Sequence, residues 1–404
     1  MAYTFLMFIW FSLPAFLTPV IDELGLTGTQ AGIVVGAIPL TYIPLALLSG
    51  LFVDRIGPGR SLALGALCFG LAQIGRSTAG GFPSLLLFTI LIGVGATAIT
   101  FGLPKLVSVL FPPDQTGFPS SVYLIGAQLG SVIVFGVGRP VLGPAVGGWR
   151  PLFLWSGILA IGYGCLWYLL ARASGIDSST GSGQTAEPSA DGDGTGNGFA
   201  ITDIVRDLRI VLSHRELQLI VVIGTMYLLI NHSIKGWLPT ILEVGGHTPA
   251  VAGQVTTVYV IGMVAGIFAI PALADRTGHR RLAVAASGGI VAIGVAGLAT
   301  ADAIWLTVLA VIVAGVGTGG LSPMIRAIPP ELEGIGAKLT GTAVGFVFAV
   351  GEIGGFLGPV LVGGLHDHTG SFLPGLVLIT AAAVVVVAAG ETLRRWGATS
   401  QSGE

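Results

Sequence analysis

Charge is scarce in this 404-residue chain. Asp, Glu, Lys and Arg together make up 9% of it, where an average soluble domain carries about 25%. A water-soluble surface needs more charge than that to stay solvated. A net charge of −2 offers no basic face to a nucleic acid or other polyanion. Cysteine is almost absent. Cys68 and Cys165 both fall in apolar runs and read as small packing residues, which excludes a disulfide framework and any metal-ligand spacing. Neither a cofactor nor a metal is expected. Lysine is confined to Lys105, Lys235 and Lys338, and the only long polar stretch is 174–200. What fills the rest is apolar. Hydrophobic residues make up 53% and the mean hydropathy is +0.89, values that mark a polytopic membrane protein. The first apolar run has no basic residues before it and no small-residue cleavage site after it, so it reads as a retained span.

A helix needs about 20 apolar residues to cross the hydrocarbon. Twelve such segments can be drawn, at 3–21, 30–53, 61–79, 83–110, 118–145, 151–172, 216–240, 249–274, 281–300, 303–327, 338–362 and 371–390. Backbone groups in lipid must be satisfied within their own segment, and the alternation of a transmembrane barrel is missing, so the expected class is all-α. The predicted organisation is a six-helix bundle over 1–173, a flexible Gly/Ser/Asp-rich linker over 174–213, a second six-helix bundle over 214–396 and a tail over 397–404. With the N-terminus in the cytoplasm, thirteen basic residues lie on that side, Arg55, Arg60, Arg276 and Arg326 among them, and only Arg76 and Arg150 lie outside. This bias predicts a multi-pass protein of the cell membrane with both termini cytoplasmic.

The halves repeat. Ala31-Gly32 and Asp54-Arg55-Ile56-Gly57 recur at an offset of 221 as Ala252-Gly253 and Asp275-Arg276-Thr277-Gly278. Pro112-Pro113-Asp114 recurs as Pro329-Pro330-Glu331, and Gly130 with Gly143-Pro144 as Gly345 with Gly358-Pro359. Pro144 and Pro359 are expected to break their helices near the outer ends. A duplicated six-span unit commonly places its site at the midplane between the halves.

Gly50-Leu51-Phe52-Val53-Asp54-Arg55-Ile56-Gly57 resembles the loop motif of the major facilitator superfamily, and the resemblance extends over the whole chain in span count and motif placement. It implies two pseudo-symmetric six-helix bundles and a gating role for Gly50, Asp54, Arg55 and Gly57 and for Asp275, Arg276 and Gly278. A carboxylate at such a loop can accept N–H groups from the start of a neighbouring helix. The glycines of spans five and eleven, Gly126, Gly130, Gly345, Gly354 and Gly358, resemble the superfamily's antiporter motif; close helix packing explains them as well. Trp237-Leu238-Pro239-Thr240, Leu103-Pro104 and Gly364-Leu365-His366-Asp367-His368 resemble the cyanate-transporter branch, and spans four and five are similar to those of nitrate/nitrite porters. These likenesses imply a small anion as cargo.

Ionisable groups inside spans are functional candidates by default. Glu352 near the middle of span eleven is a candidate proton carrier; structural ion pairing and substrate contact remain open for it. His232 is a second proton candidate. Lys105, Arg139 and Lys235 fall within spans, and together they predict a cationic chamber suited to an anion, with Asn231, Gln128 and Tyr42 as further substrate-binding residues. Snorkelling to the lipid surface is the alternative for the long cations. Tyr123, Tyr227, Gln254 and Tyr259 complete the lining candidates.

Gly315-Val316-Gly317-Thr318-Gly319-Gly320 spells a dinucleotide fingerprint but lies inside a span and opens no strand-to-helix turn. No phosphate-binding loop and no catalytic cluster stand out, so an ATP-driven pump and an enzyme are disfavoured. The expected protein is a monomeric secondary transporter moving a small anion, cyanate, nitrite/nitrate-like or a small carboxylate, by alternating access, coupled to protons (or sodium). An antiporter exporting a drug-like hydrophobic compound is the first alternative, and a non-transporting receptor or sensor the second.

Overall fold

The computed structural model describes residues 1–112, 115–176, 213–332 and 335–401. Most of the predicted linker, the Pro113-Asp114 pair and Gly334 lie outside them, and Gly50 and Lys338 fall in helical stretches whose side chains are not described. The described residues are helical almost throughout and contain no strand, as backbone groups in hydrocarbon require. In chain order the helices are α1 (Ala2–Ala15), α2 (Leu17–Leu24), α3 (Gly28–Ile56), α4 (Pro58–Ser77), α5 (Phe82–Leu110), α6 (Gly117–Ile133), a π-helical segment (Val134–Leu142), α7 (Gly143–Val146) and α8 (Trp149–Ala173). The second half holds α9 (Arg215–Val244), α10 (Pro249–Thr277), α11 (Arg280–Thr300), α12 (Ile304–Ala327), a 3-10 turn (Pro329–Glu331), α13 (Gly336–Thr369) and α14 (Leu373–Gln401).

Ten of these rods are long and apolar enough to cross a membrane, or eleven if α1 and α2, bent by 55°, form one span. The remaining predicted span is α4. It carries Gln73 and Arg76, both without any exposure, and falls short in apolarity for that reason. Arg76, which the charge pattern places at the outer surface, sits inside the first bundle. It donates to Thr89 Oγ1 at 3.1 Å and to the Ile9 carbonyl and Gln73 Oε1 at 3.3 Å each.

Local chemistry sets the helix ends. Thr27 and Gln30 form a reciprocal capping box at the start of α3: Thr27 Oγ1 accepts from Gln30 N at 3.2 Å, and Gln30 Oε1 accepts from Thr27 N at 3.1 Å. Pro58 and Pro249 open α4 and α10, where the missing N–H has no cost. Neither predicted proline break is seen. Span five turns π-helical over Val134–Leu142, around Pro140, and stays helical through Pro144 to Val146, and α13 runs unbroken through Pro359. Membrane helices tolerate proline where neighbours restore the lost polar contacts; here α3 crosses α13 at this point, and the Pro359 carbonyl accepts the Trp237 indole N–H at 2.9 Å.

The two bundles meet along α1 against α9, the π-helical segment against α10, and above all α3 against α13. Lipid supplies no hydrophobic drive for helix association, so close backbone contact has to. Gly28 and Gly32 of α3 lie against Gly363 and Pro359 of α13; a Cβ on Gly32 would overlap the Pro359 carbonyl, and one on Gly363 the Gly28 carbonyl. The dinucleotide-like glycine run has the same purpose inside the second bundle. Gly315 and Gly319 abut backbone carbonyls of α10, and Gly317 abuts one of α11.

Candidate functional site

Polar contacts between the bundles concentrate at the end of the molecule away from the chain termini, here called the far end. Arg139, held by the π-helical segment, donates twice to Glu243 Oε1 (3.0 Å from Nε, 2.8 Å from Nη2) and once to Oε2 at 3.0 Å. Both side chains are largely buried, at 12% and 9% exposure, and the Phe16 ring lies 5.0 Å from the guanidinium. Asp367 near the end of α13 caps the start of α3, accepting from Gly28 N at 2.6 Å, Thr29 N at 2.7 Å and Thr29 Oγ1 at 2.6 Å. This is the carboxylate-on-helix-start contact expected of Asp54 and Asp275, made by a different carboxylate at the opposite end.

At the termini end the pairs Asp54–Lys105, Asp275–Arg280–Glu331 and Arg281–Glu216 each stay within one bundle. Asp54 takes the Lys105 ammonium at 3.0 Å, with side chains 56% and 44% exposed. Asp275 accepts from Arg280 Nε at 2.8 Å, and the same guanidinium reaches Glu331. Gly57 and Gly278 close α3 and α10 with positive φ of 89° and 70°. Arg55 and Arg276 are exposed.

Three of the expected site residues come together at the centre. Trp10 of α1 bridges two of them, stacking on His232 at a centroid distance of 5.8 Å and meeting Tyr42 at 5.7 Å. Glu352 lies beside His232, Oε2 to Nε2 3.6 Å, too far for a hydrogen bond. That carboxylate oxygen is buried without a hydrogen-bond partner. The Tyr42 hydroxyl shares a 2.8 Å hydrogen bond with Thr100 Oγ1. Lys235, 4% exposed, rests its ammonium 4.8 Å from the Phe11 ring centroid. Asn231 is buried, its Oδ1 unpartnered. Gln128 is half-buried and Gln254 exposed.

The expected trio of chamber cations does not converge: Lys105 is engaged by Asp54 and Arg139 by Glu243. A further cation is Arg326 at the end of α12, an exposed residue that the charge count assigns to the cytoplasmic surface. Its guanidinium lies 4.1 Å from the Phe348 ring centroid. Its Nη1 donates to the Ser322 carbonyl at 2.9 Å and to Ser322 Oγ at 2.5 Å. A sequence signal for Arg326 exists: the 221-residue offset that relates Asp54 to Asp275 carries Lys105 onto Arg326.

A sequence profile of the Major Facilitator Superfamily matches residues 1–247 and 220–395. The chain belongs to that superfamily. An uncharacterized transporter of Bacillus subtilis, YycB, is 28% identical over 399 residues, covering 96% of this chain and 92% of its own. A putative tartrate transporter of Agrobacterium vitis is 25% identical, with 91% and 83% covered, and the 3-(3-hydroxy-phenyl)propionate transporter of Escherichia coli is 28% identical, with 83% and 77% covered. Among solved structures the nucleoside transporter NupG superposes with a TM-score of 0.75 at 14% identity, covering 97% of this chain and 98% of that one; this likeness speaks for the fold. The chain is a multi-pass transporter with the superfamily's two-bundle architecture.

Proposed function

We propose that this protein is a proton-coupled secondary transporter of small organic anions, seated in the cell membrane with both termini in the cytoplasm and the far end outward. The observation that carries the reading is the Glu352 carboxylate at the centre, beside His232 with its Oε2 buried and unpartnered; Arg326, which pairs with no carboxylate among the described residues, is the cation proposed to receive the anion. A guanidinium holds a carboxylate in a planar, two-pronged contact. A membrane-embedded carboxylate without a hydrogen-bond partner is the natural place for a travelling proton. His232 is the titratable group beside Glu352, and it supplies no permanent positive charge. Relatives named for tartrate and for a phenylpropionate support an anionic cargo. Transport follows from the two bundles rocking about this centre: the far-end contacts part, and the termini end closes.

Uptake of labelled carboxylates into proteoliposomes under an imposed pH gradient tests the reading. Uptake is expected to follow the gradient, and Glu352→Gln is expected to remove that dependence while anion exchange continues. Uptake indifferent to the gradient removes the proton from the mechanism. The aromatic lining favours one other reading, export of an uncharged hydrophobic compound, and Arg326→Ala separates the two: an anion carrier loses its cargo, an exporter of neutral molecules does not.

A further inference from the structure

Resting on the organic-anion reading above, we propose that Lys235 and Asn231 form a second anion station in the far half of the bundle interface. The cargo it recognises is a carboxylate with a hydroxyl on the neighbouring carbon, a 2-hydroxy acid.

Lys235 calls for an anion. It lies roughly 30 Å along α9 from the helix start at Arg215, whereas Arg326 occupies the last turn of α12 at the termini end. The two cations are thus separate stations, too far apart for one small molecule. Lys235 belongs to the second bundle, and the ring 4.8 Å from its ammonium, Phe11, belongs to α1 of the first. The residue is 4% exposed. Among the described residues its ammonium has neither a hydrogen bond nor a carboxylate partner, and Glu352 lies against His232 instead. Lys105 and Arg139 differ in this respect, each having its own acid. A ring face returns only part of what an ammonium loses on leaving water. The protein itself provides no counter-ion for this charge among the described residues.

Asn231 calls for a hydroxyl. It sits one turn before Lys235 on the same face of α9, where side chains four apart are neighbours. It is 8% exposed, and its Oδ1 is buried without a hydrogen-bond partner. A hydroxyl both donates and accepts, so it satisfies this amide in either orientation. Water would serve the amide and leave the ammonium uncompensated; a halide or cyanate would do the reverse. A 2-hydroxy acid serves both at once, with its carboxylate on Lys235 and its hydroxyl on Asn231. Beyond the station, toward the far end, Thr18 Oγ1 donates to Thr240 Oγ1 at 3.3 Å, and Arg139 grips Glu243. In the far-closed form the station is therefore shut, and Arg326 is the cation that a carboxylate meets. The Lys235 station fills when the far end parts.

The experiment uses the full-length protein in right-side-out membrane vesicles. Uptake of labelled propionate is competed by unlabelled lactate and propionate added outside; the two acids differ by the hydroxyl alone. In the wild type, lactate is expected to compete about tenfold or more better than propionate, the worth of satisfying one buried polar group. Asn231→Leu is expected to bring the two acids within about twofold of each other by weakening lactate, with propionate nearly unchanged. Lys235→Met is expected to weaken both acids about tenfold or more from this side, with Lys235→Arg restoring much of the loss. The melting temperature of each variant in detergent separates lost affinity from lost folding. Equal competition by lactate and propionate in the wild type would overturn the inference. So would a lactate preference that survives in folded Asn231→Leu, or folded Lys235→Met matching the wild type. Uptake of carboxylates that follows the pH gradient and needs Arg326 would in those cases leave the organic-anion reading standing. Failure of every carboxylate to enter, in wild type and Arg326→Ala alike, would overturn both.

Discussion

The two ends of this molecule use charge differently. At the far end, opposite charges and a capping carboxylate join one bundle to the other: Arg139 to Glu243, and Asp367 to the start of α3. At the termini end, Asp54–Lys105 and Asp275–Arg280–Glu331 tie helices within a bundle and leave the bundles unlinked by these groups. Glycines repeat the contrast along one helix. A Cβ on Gly354, Gly358 or Gly363 would strike a neighbouring helix, whereas one on Gly341 or Gly345 would meet nothing within 4 Å. The same α13 is thus clamped in its far half and free-standing near its start. The lesson is that the far end is closed by contacts that must break for the bundles to rock, while the loop carboxylates of the repeated motif stiffen each bundle from inside.

Substitutions can break this contrast, and thiol accessibility reads them out. The reporter is Thr240→Cys, a far-end position 3% exposed, in a background lacking Cys68 and Cys165. Arg139→Ala has the largest expected effect. It leaves Glu243 buried and uncompensated, which costs ~3–5 kcal/mol in the far-closed state, so labelling by an impermeant reagent rises steeply; the double exchange Arg139→Glu with Glu243→Arg recovers much of the protection. Gly32→Leu comes next. It forces a side chain into the Pro359 backbone, and overpacking of this kind costs about 3 kcal/mol, so transport falls while membrane insertion persists. Asp367→Asn keeps an acceptor but loses the charge that holds three donors, which is expected to weaken closure by about 1–2 kcal/mol. The smallest effect belongs to Asp54→Asn. The pair it breaks is exposed and lies within one bundle, so far-end labelling should shift by less than about 1 kcal/mol. A large Asp54 effect on Thr240→Cys labelling would blur the distinction between the two ends.

The sequence makes the architecture readable because hydropathy and repeat offsets are local or pairwise properties of the chain. The motif copies at Asp54 and Asp275 and the span boundaries emerge from them directly. The site is harder. Depth along a span can be counted, as for Glu352 and His232. Rotation of a helix about its axis cannot be counted in a stretch that is apolar all round, and rotation decides what a cation meets. Arg139 turns to Glu243 rather than to a cavity, and Lys105 turns to the loop carboxylate Asp54. Arg326 sits where a basic residue usually marks the membrane surface, and its guanidinium lies over Phe348 of the next span. The α3 crossing had a legible signature in Gly28, Gly32 and Gly36, spaced by four, but its partner surface on α13 lies more than 300 residues away in the chain.

The most direct test of the account is equilibrium binding of a labelled small carboxylate to wild type, Arg326→Lys and Arg326→Ala. The expected result is saturable binding by wild type, weakened binding with lysine, which keeps the charge but loses the two-pronged edge, and no saturable binding with alanine. Unchanged affinity in Arg326→Ala, with the protein folded, would contradict an anion seated on that guanidinium.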